Sequence, residues 1–419
     1  MGAGVRSVWA LFIGVAVLAL GNGLQSTLLS VRAIDADFGA TITGYVMAGY
    51  FVGTLIGSIV TPKLIEQVGH IRVFAAFASI ISTSALLHAV FVDPVAWFTF
   101  RAITGLCIAG LYIVSESWVN SAATNETRGK LLSAYMLIIF ASMGVGQLLL
   151  NVPDHNGYVQ FIIVSALMSV ALVPMSLART PVPEINNPRP VSIADIYKLS
   201  PLAVIACFFN GLGQSVFFSL GAVYGNALGM GLGQVSVLMA LPMLGVIASQ
   251  FPVGMVSDRF DRRQVMTVLA FITSSVAYVC AFAGQLPFVY LAGLFAVFGA
   301  LSLPLYSIAL AHANDYLEND QMLGAAGKLV LLFGVGAIAG PMIAGDLMDR
   351  FGPHAFFVFL GAVYGLIGIF ALYRMTRRAS VPLEDQSDWV LMSTQTTSVA
   401  ATAIAIETAE GWEEEPSNS

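Results

Sequence analysis

The chain carries one long apolar segment after another, separated by short polar breaks, and this spacing limits what it can fold into. An α-helix needs about 20 apolar residues to cross the roughly 30 Å hydrocarbon core of a bilayer. The sequence therefore predicts an all-α integral membrane protein. The twelve predicted transmembrane helices lie at residues 8–30, 41–61, 73–92, 95–118, 130–151, 157–177, 201–225, 233–255, 264–284, 287–311, 323–344 and 354–374.

The low charge content excludes a soluble enzyme. Only 10% of the residues are charged and the mean hydropathy is +0.83, whereas a soluble domain carries about 25% charged residues. The net charge of -6 arises after Arg378, where acidic residues continue and basic residues stop. The sequence therefore indicates no nucleic-acid partner.

Neither the cysteines nor a short motif indicates a cofactor. Cys107, Cys207 and Cys280 lie inside apolar segments, without the spacing of a disulfide framework or a CxxC-type metal site. The sequence has no GxxxxGK(S/T) loop of the kind that binds ATP, and no Ser, Cys or His constellation suggests nucleophilic chemistry. We expect no cofactor, no metal site and no enzymatic activity.

The basic residues predict which loops face the cytoplasm, because Lys and Arg are retained on that side. If both termini are cytoplasmic, most of the basic residues fall in cytoplasmic segments, and only Arg32 and Arg350 fall in outer loops. We therefore expect a multi-pass protein of the inner cell membrane, embedded in the lipid bilayer, with both termini in the cytoplasm.

A proline-rich stretch at residues 178–200 divides the spans into six and six and is predicted to be a cytoplasmic linker. The predicted organisation is two homologous six-helix bundles, 1–177 and 201–375, as in many secondary transporters, and then an acidic, disordered cytoplasmic tail at 376–419. Short pieces recur in matching spans of the two halves, namely Leu24-Gln-Ser26 with Gly213-Gln-Ser215 and Gly129-Lys-Leu-Leu132 with Gly327-Lys-Leu-Val330.

The loop between spans eight and nine carries the most specific motif. It reads Gly254-Met-Val-Ser-Asp258-Arg259-Phe-Asp261-Arg262-Arg263 and resembles the G-x-x-x-D-R-x-G-R-R loop of the major facilitator superfamily. A less complete copy between spans two and three reads Pro62-Lys-Leu-Ile-Glu66-Gln-Val-Gly69-His-Ile-Arg72. In that family the loop latches the cytoplasmic ends of neighbouring helices, and its acid faces a helix N-terminus, where the dipole favours negative charge.

The resemblance covers about residues 8–375 and is closest to an uncharacterised bacterial branch of the superfamily. It implies a secondary active transporter whose two bundles rock around a midplane site, which opens alternately to either side. The alternative for the loops is that they are merely charged cytoplasmic segments. The latch residues that the resemblance implies are Glu66, Gly69, Arg72, Arg128, Gly254, Asp258, Arg259 and Arg262.

Three ionisable residues lie inside predicted spans, where a charge costs at least about 2.5–3.5 kcal/mol. Arg101 suits an anionic or carboxylate-bearing solute, and its alternative is a structural role with helix backbone. Glu116 and Lys328 are candidates for proton coupling. Glu116 could instead belong to the latch, and Lys328 could extend to the membrane interface.

Neutral polar residues suggest a binding cavity. Asn22 and Gln25 share a face of span one, and Asn210 and Gln214 share a face of span seven. Two such amide pairs could offer donors and acceptors to a polar solute, or they could form hydrogen bonds between helices. Tyr112 in span four and Tyr306 in span ten complete the predicted substrate-binding set.

The sequence thus predicts a transporter that moves a small-molecule solute by alternating access. Arg101 suggests an anionic solute, and both proton coupling and uniport stay open. The rival from another class is a transporter-like sensor or assembly factor that binds a ligand without net flux and uses its tail as output. An intramembrane enzyme is disfavoured, because no paired catalytic groups lie at one depth.

Overall fold

The structure confirms the twelve predicted membrane-crossing segments. This computed structural model describes residues 2–123, 127–177, 191–282, 286–317 and 319–377, with the isolated positions 382 and 386. Within these residues twelve helical spans are long and apolar enough to cross a membrane, and no strand occurs. The helices are α1 (Gly2–Asp35), α2 (Gly39–Val68), α3 (His70–Val90), α4 (Pro94–Ala122), α5 (Arg128–Leu148), α6 (Val159–Leu177), α7 (Ile193–Leu199), α8 (Pro201–Ala227), α9 (Leu232–Arg259), α10 (Arg262–Phe282), α11 (Phe288–Ser302), α12 (Pro304–Asn314), α13 (Asn319–Phe351) and α14 (Ala355–Met375).

Two regions depart from the predicted pattern. The tenth span is divided into α11 and α12, because Pro304 has no N–H to donate back along the helix. Inside the predicted linker, the Ser192 hydroxyl caps the short helix α7 by accepting a hydrogen bond from the Asp195 N–H at 3.1 Å. The linker before Val191 and nearly all of the predicted tail lie outside the described residues.

The helices pack as two bundles with the same internal arrangement. In the first bundle α1 packs against α5 and α6, α2 against α4, and α3 against α4 and α6. In the second, α8 packs against α13 and α14, α9 against α11, and α10 against α11 and α14. The pairing is the same once each span is matched to the span six places later. The fold is therefore two pseudo-symmetric six-helix bundles.

The bundles meet chiefly where α2 packs against α13, α5 against α9 and α1 against α8. Because successive spans alternate in direction, the start of α2 and the last turn of α13 lie at the same end of the molecule. We call this the Asp349 end, after a residue in that last turn. The opposite end, which holds the loop between α9 and α10, is called the Asp258 end.

Glycine lets α2 and α4 approach until their backbones touch. A Cβ atom on Gly105 would lie 1.9 Å from the Tyr50 carbonyl oxygen, and a Cβ atom on Gly53 would lie 1.8 Å from the Ala102 carbonyl oxygen. Small residues at such contacts allow the van der Waals packing that drives helix association in membranes. This contact brings Tyr50 of α2 beside the polar face of α4.

We expect Gly105→Ala to destabilise the protein, because the added methyl group forces α2 and α4 apart. Overpacking of this kind costs about 1–3 kcal/mol. The measurement is the apparent melting temperature of the purified protein in detergent. Gly293→Ala on α11 is the matched control, since a Cβ atom there meets nothing within 4 Å. Equal melting temperatures for the two variants would contradict this packing.

Candidate functional site

A row of buried polar side chains follows α4 through the first bundle. Arg101, Tyr112 and Glu116 lie on this helix, and each is at most 3% exposed. Asn22 of α1 and Tyr50 of α2 are buried beside them. We call these five residues the α4 cluster.

Arg101 is buried without a carboxylate partner in the described part of the chain. Its guanidinium carbon lies 4.6 Å from the centroid of the Tyr50 ring, which is a cation–π contact. The Nε and Nη1 atoms find no hydrogen-bond acceptor among the described residues. Buried charges in membrane proteins are usually paired or functional, so this arginine is the leading candidate for a role in binding.

Asn22 links the two tyrosines of the α4 cluster. Its side chain lies in interaction range of both Tyr50 and Tyr112, although the Tyr112 hydroxyl has no well-aligned hydrogen-bond partner among the described residues. Tyr112 and the buried Tyr135 of α5 lie within electrostatic range of Glu116. Polar groups therefore extend from Arg101 to Glu116, about 22 Å along the helix axis.

The predicted binding residues of the second bundle are also buried. The Asn210 amide nitrogen donates to the Ala206 carbonyl oxygen at 2.9 Å. Its Oδ1 atom accepts no hydrogen bond from the described residues. Gln214 lies one turn further along α8 and is buried. Tyr306 of α12 packs its ring against Phe333, with centroids 5.3 Å apart.

The amides of α1 have different neighbours from those of α8. Asn22 reaches α2 and α4 of its own bundle, and Gln25 is fully buried with neither amide atom paired among the described residues. Ser30 forms a hydrogen bond between α1 and α8, because its hydroxyl donates to the Ser219 carbonyl oxygen at 2.8 Å. That amide pairs of the two helices face one cavity stays a prediction.

Arg262 shows how the same chain buries an arginine that is paired with carboxylates of the fold. Its side chain, 1% exposed, donates to the Asp315 carboxylate and, at 3.1 Å, to the Ala311 carbonyl oxygen. The Asp258 carboxylate lies 3.5 Å from its other terminal nitrogen. Arg262 thereby ties the end of α9 and the start of α10 to the end of α12.

Several predicted latch residues are at the surface of the Asp258 end. Glu66, Arg72 and Arg259 are exposed, and Arg72 donates a hydrogen bond to the Val68 carbonyl oxygen of the neighbouring helix end at 3.4 Å. Gly69 ends α2 with φ at +86°, a conformation that favours glycine.

Two more of the predicted residues lie inside helices, and one has a side chain that the structure does not describe. Gly254 is buried in α9 and Lys328 is half-buried in α13. The Arg128 side chain lies outside the described residues.

The carboxylate of Asp261, next to Arg262 in the chain, is held in its charged form. Burial alone would raise the pKa of Asp261, but hydrogen bonds from the Arg263 side chain and backbone hold that pKa below its ordinary value. A latching role for these residues stays a prediction.

Comparison with known proteins decides the family. Two overlapping stretches, residues 11–233 and 203–406, match the Major Facilitator Superfamily. The chain belongs to the major facilitator superfamily. It is 25% identical over 380 residues to the uncharacterized MFS-type transporter YcaD of Escherichia fergusonii, which covers 90% of this chain and 98% of the relative. This chain is therefore a membrane transporter of the secondary transport class.

Solved structures agree on the fold of this superfamily member. The nucleoside transporter NupG aligns with a TM-score of 0.74 at 12% identity, covering 90% of this chain and 100% of that one. A bacterial homologue of the human lysosomal transporter Spinster, in an inward-facing and occupied conformation, aligns with a TM-score of 0.68 at 12% identity and covers 100% of both chains. At these identities the likeness concerns the fold alone.

Sequence reasoning missed Tyr50, Tyr135 and Asp315 of this transporter. A signal for Tyr50 was present: Gly49, Gly53 and Gly57 recur every four residues in α2, a pattern typical of a close helix contact. That contact is with α4, so the neighbouring Tyr50 meets Arg101. Asp315 had no comparable signal, because it lies in a loop between two spans and no pattern in the sequence shows that this loop packs on the start of α10.

We expect Asp315→Asn to destabilise this transporter strongly, because it removes the buried carboxylate that faces Arg262. Losing one partner of a buried ion pair costs about 3–5 kcal/mol. The readout is thermal unfolding in detergent. Asp346→Asn is the control, since Asp346 forms an exposed pair with Arg350 at 2.9 Å, and exposed pairs contribute about 0–1 kcal/mol. A small and equal effect of both variants would refute the structural role of the Arg262 pair.

Proposed function

We propose that this transporter carries a small organic anion and that Arg101 binds its anionic group. The observation that carries the proposal is the burial of Arg101 with no carboxylate partner in the described part of the chain. A guanidinium offers paired donors that match a carboxylate or phosphate group. A charge-assisted bond of this kind is roughly twice as strong as a neutral one, so an anionic solute would compensate the buried cation.

The residues around Arg101 supply the other contacts that a polar solute needs. Tyr50 holds the guanidinium against its ring, and Asn22 lies near both tyrosine hydroxyls. Gln25 adds an amide with both atoms unpaired among the described residues. We assign Asn22, Gln25, Arg101 and Tyr112 to binding in the first bundle. The second bundle would contribute Asn210, Gln214 and Tyr306 as it closes on the solute.

Proton coupling is the second part of the proposal, and Glu116 is the proton-binding group. Its carboxyl group is fully buried in α4, and an ionisable side chain inside a membrane span is typical of a proton-transfer path. The hydroxyls of Tyr112 and Tyr135 lie within electrostatic range of it and connect it toward Asn22 and Arg101. Lys328 on α13 is the alternative proton-coupling residue.

We infer that the Asp258 end faces the cytoplasm and that the protein lies in the cytoplasmic membrane. Lys63, Arg72 and Arg259 are exposed at this end, and basic residues are retained on the cytoplasmic side. Both termini would then be cytoplasmic. The rival function, a sensor or assembly factor without flux, predicts solute binding but no net uptake into vesicles.

We expect Arg101→Gln to weaken anion binding at least tenfold, because the substitution removes the positive charge that is proposed to bind the anionic group. The probes are lactate, succinate and inorganic phosphate, with lactamide as a neutral counterpart of lactate. Binding is measured as thermal stabilisation of the purified protein, since a ligand stabilises the fold that binds it. Arg101→Lys, which keeps the charge, should retain part of the affinity.

Arg350→Gln is the matched control, because Arg350 is exposed and pairs with Asp346 on its own helix. It should bind the anions as the unmodified protein does. Equal binding of lactate and lactamide, or an affinity that Arg101→Gln leaves within about twofold, would remove the anion proposal. Uptake of the best anion into proteoliposomes then separates a transporter from a sensor.

We expect Glu116→Gln to uncouple transport from the proton gradient. Gradient-driven uptake in proteoliposomes should fall at least tenfold, because the amide cannot exchange a proton. Counterflow of labelled against unlabelled solute should stay within about threefold, since it needs no net proton movement. Asp346→Asn serves as the control at an exposed carboxylate. Unchanged gradient-driven uptake by Glu116→Gln would exclude this residue as the carrier.

A further inference from the structure

At the Asp349 end, α13 of the second bundle caps α2 of the first. The Asp349 carboxylate accepts hydrogen bonds from the Ala40 N–H at 3.0 Å and the Thr41 N–H at 2.7 Å. The residue before α2, Phe38, provides no side-chain cap of its own. The first turn of α2 therefore obtains from the other bundle the acceptor that helices usually obtain locally. A carboxylate also suits the positive end of the helix dipole.

The second interface between the bundles carries a related contact. Asn151, in the short 3₁₀ turn after α5, donates from its Nδ2 to the Ser236 hydroxyl in α9 at 2.7 Å. Its Oδ1 lies beside the first turn of α9, where a Cβ atom on Gly233 would be 3.2 Å away. Here α5 of the first bundle engages the start of α9 in the second.

Asn151 and Asp349 occupy equivalent positions in the two halves. The repeated pieces that begin at Gly129 and Gly327 are 198 residues apart, and Asn151 and Asp349 are separated by the same number. Both residues meet the beginning of corresponding helices, since α2 and α9 are the second spans of their halves. The chemistry differs: Asp349 accepts from two backbone N–H groups of α2, whereas Asn151 donates to the Ser236 hydroxyl of α9.

Close packing seals the same end. A Cβ atom on Gly44 of α2 would lie 2.1 Å from the Pro341 carbonyl oxygen of α13, and one on Gly345 of α13 would lie 2.4 Å from the Ala40 carbonyl oxygen. The hydrogen bond from the Ser30 hydroxyl to the Ser219 carbonyl oxygen also joins the two bundles, through α1 and α8. Separating the bundles here would leave the Ala40 and Thr41 N–H groups without the Asp349 acceptor.

We propose that the Asp349 cap on α2 and the Asn151 contact with α9 are releasable and hold the Asp349 end shut, and that both contacts break whenever this end opens during transport. Asp349 is the stronger of the two, because its charged acceptor binds two backbone N–H groups while Asn151 offers a neutral amide. The proposal uses the secondary transport of the superfamily and is independent of the anion proposed as solute.

The test measures how often this end opens. Cys107, Cys207 and Cys280 are replaced by alanine, and Ser30→Cys is introduced as a reporter. Ser30 is fully buried and its hydroxyl contacts the other bundle, so a thiol there reacts only when the bundles separate. The rate of its reaction with a membrane-impermeant maleimide, in the purified protein, then follows the population of the open form.

We expect Asp349→Ala to raise the labelling rate about fivefold, because losing a cap costs about 1 kcal/mol and 1.4 kcal/mol corresponds to tenfold. Asn151→Ala should raise it less, and the double variant more than either. Asp349→Asn introduces the residue found at the equivalent position, Asn151, and keeps an oxygen that can accept a hydrogen bond. The labelling rate of this variant should therefore lie between those of Asp349→Ala and the parent.

Asp346→Ala is the matched control, since Asp346 lies one turn earlier on α13 and pairs with Arg350 of the same helix. Labelling rates of Asp349→Ala and Asp346→Ala within about twofold of each other would overturn the proposal. A lower rate in Asp349→Ala would overturn it as well. If Asp349→Ala does not fold, Asp349→Asn and Asn151→Ala decide the question by the same comparison. Because no solute is added, the result does not depend on what is transported.

Discussion

A bilayer cannot form hydrogen bonds with a backbone, and this constraint governs the structure at every level. It requires each segment that crosses the membrane to satisfy its own N–H and C=O groups, which a helix does. Lipid is as apolar as the side chains, so association of the helices depends on close packing rather than on burial from water. The contacts between α2 and α4 and between α2 and α13 show the consequence, since glycine brings backbone against backbone at both.

The same constraint separates two kinds of buried charge. Arg262 is surrounded by acceptors supplied by α9, the end of α12 and the turn after it, so its burial holds three helices together. Arg101 lies against an aromatic ring with two nitrogens unpaired among the described residues. Removing a carboxylate from Arg262 would leave an uncompensated buried charge. Arg101 has no carboxylate partner among the described residues, and its guanidinium is therefore the one proposed to bind a solute.

The two bundles share an arrangement of helices and differ in chemistry. With the spacing of 194 residues that relates Tyr112 to Tyr306, Phe295 stands where the first bundle has Arg101. Phe295 is fully buried and packs on Phe217, Tyr224 and Phe357. The second bundle thus has an aromatic core where the first has polar groups.

Hydropathy, loop charge and repeated motifs in the sequence determined the number of spans, the division into two halves and the depth of Arg101 and Glu116. These features depend on the order of residues along one helix. Because each residue of a helix adds a fixed rise along its axis, the spacing of residues in the sequence gives their depth in the membrane. The partners of those residues depend on which helices touch. Tyr50 beside Arg101, Asp315 beside Arg262 and Asp349 at the start of α2 join residues 51, 53 and 309 positions apart. Only the packing of the helices decided these contacts, because a pattern within a single helix does not specify its neighbour.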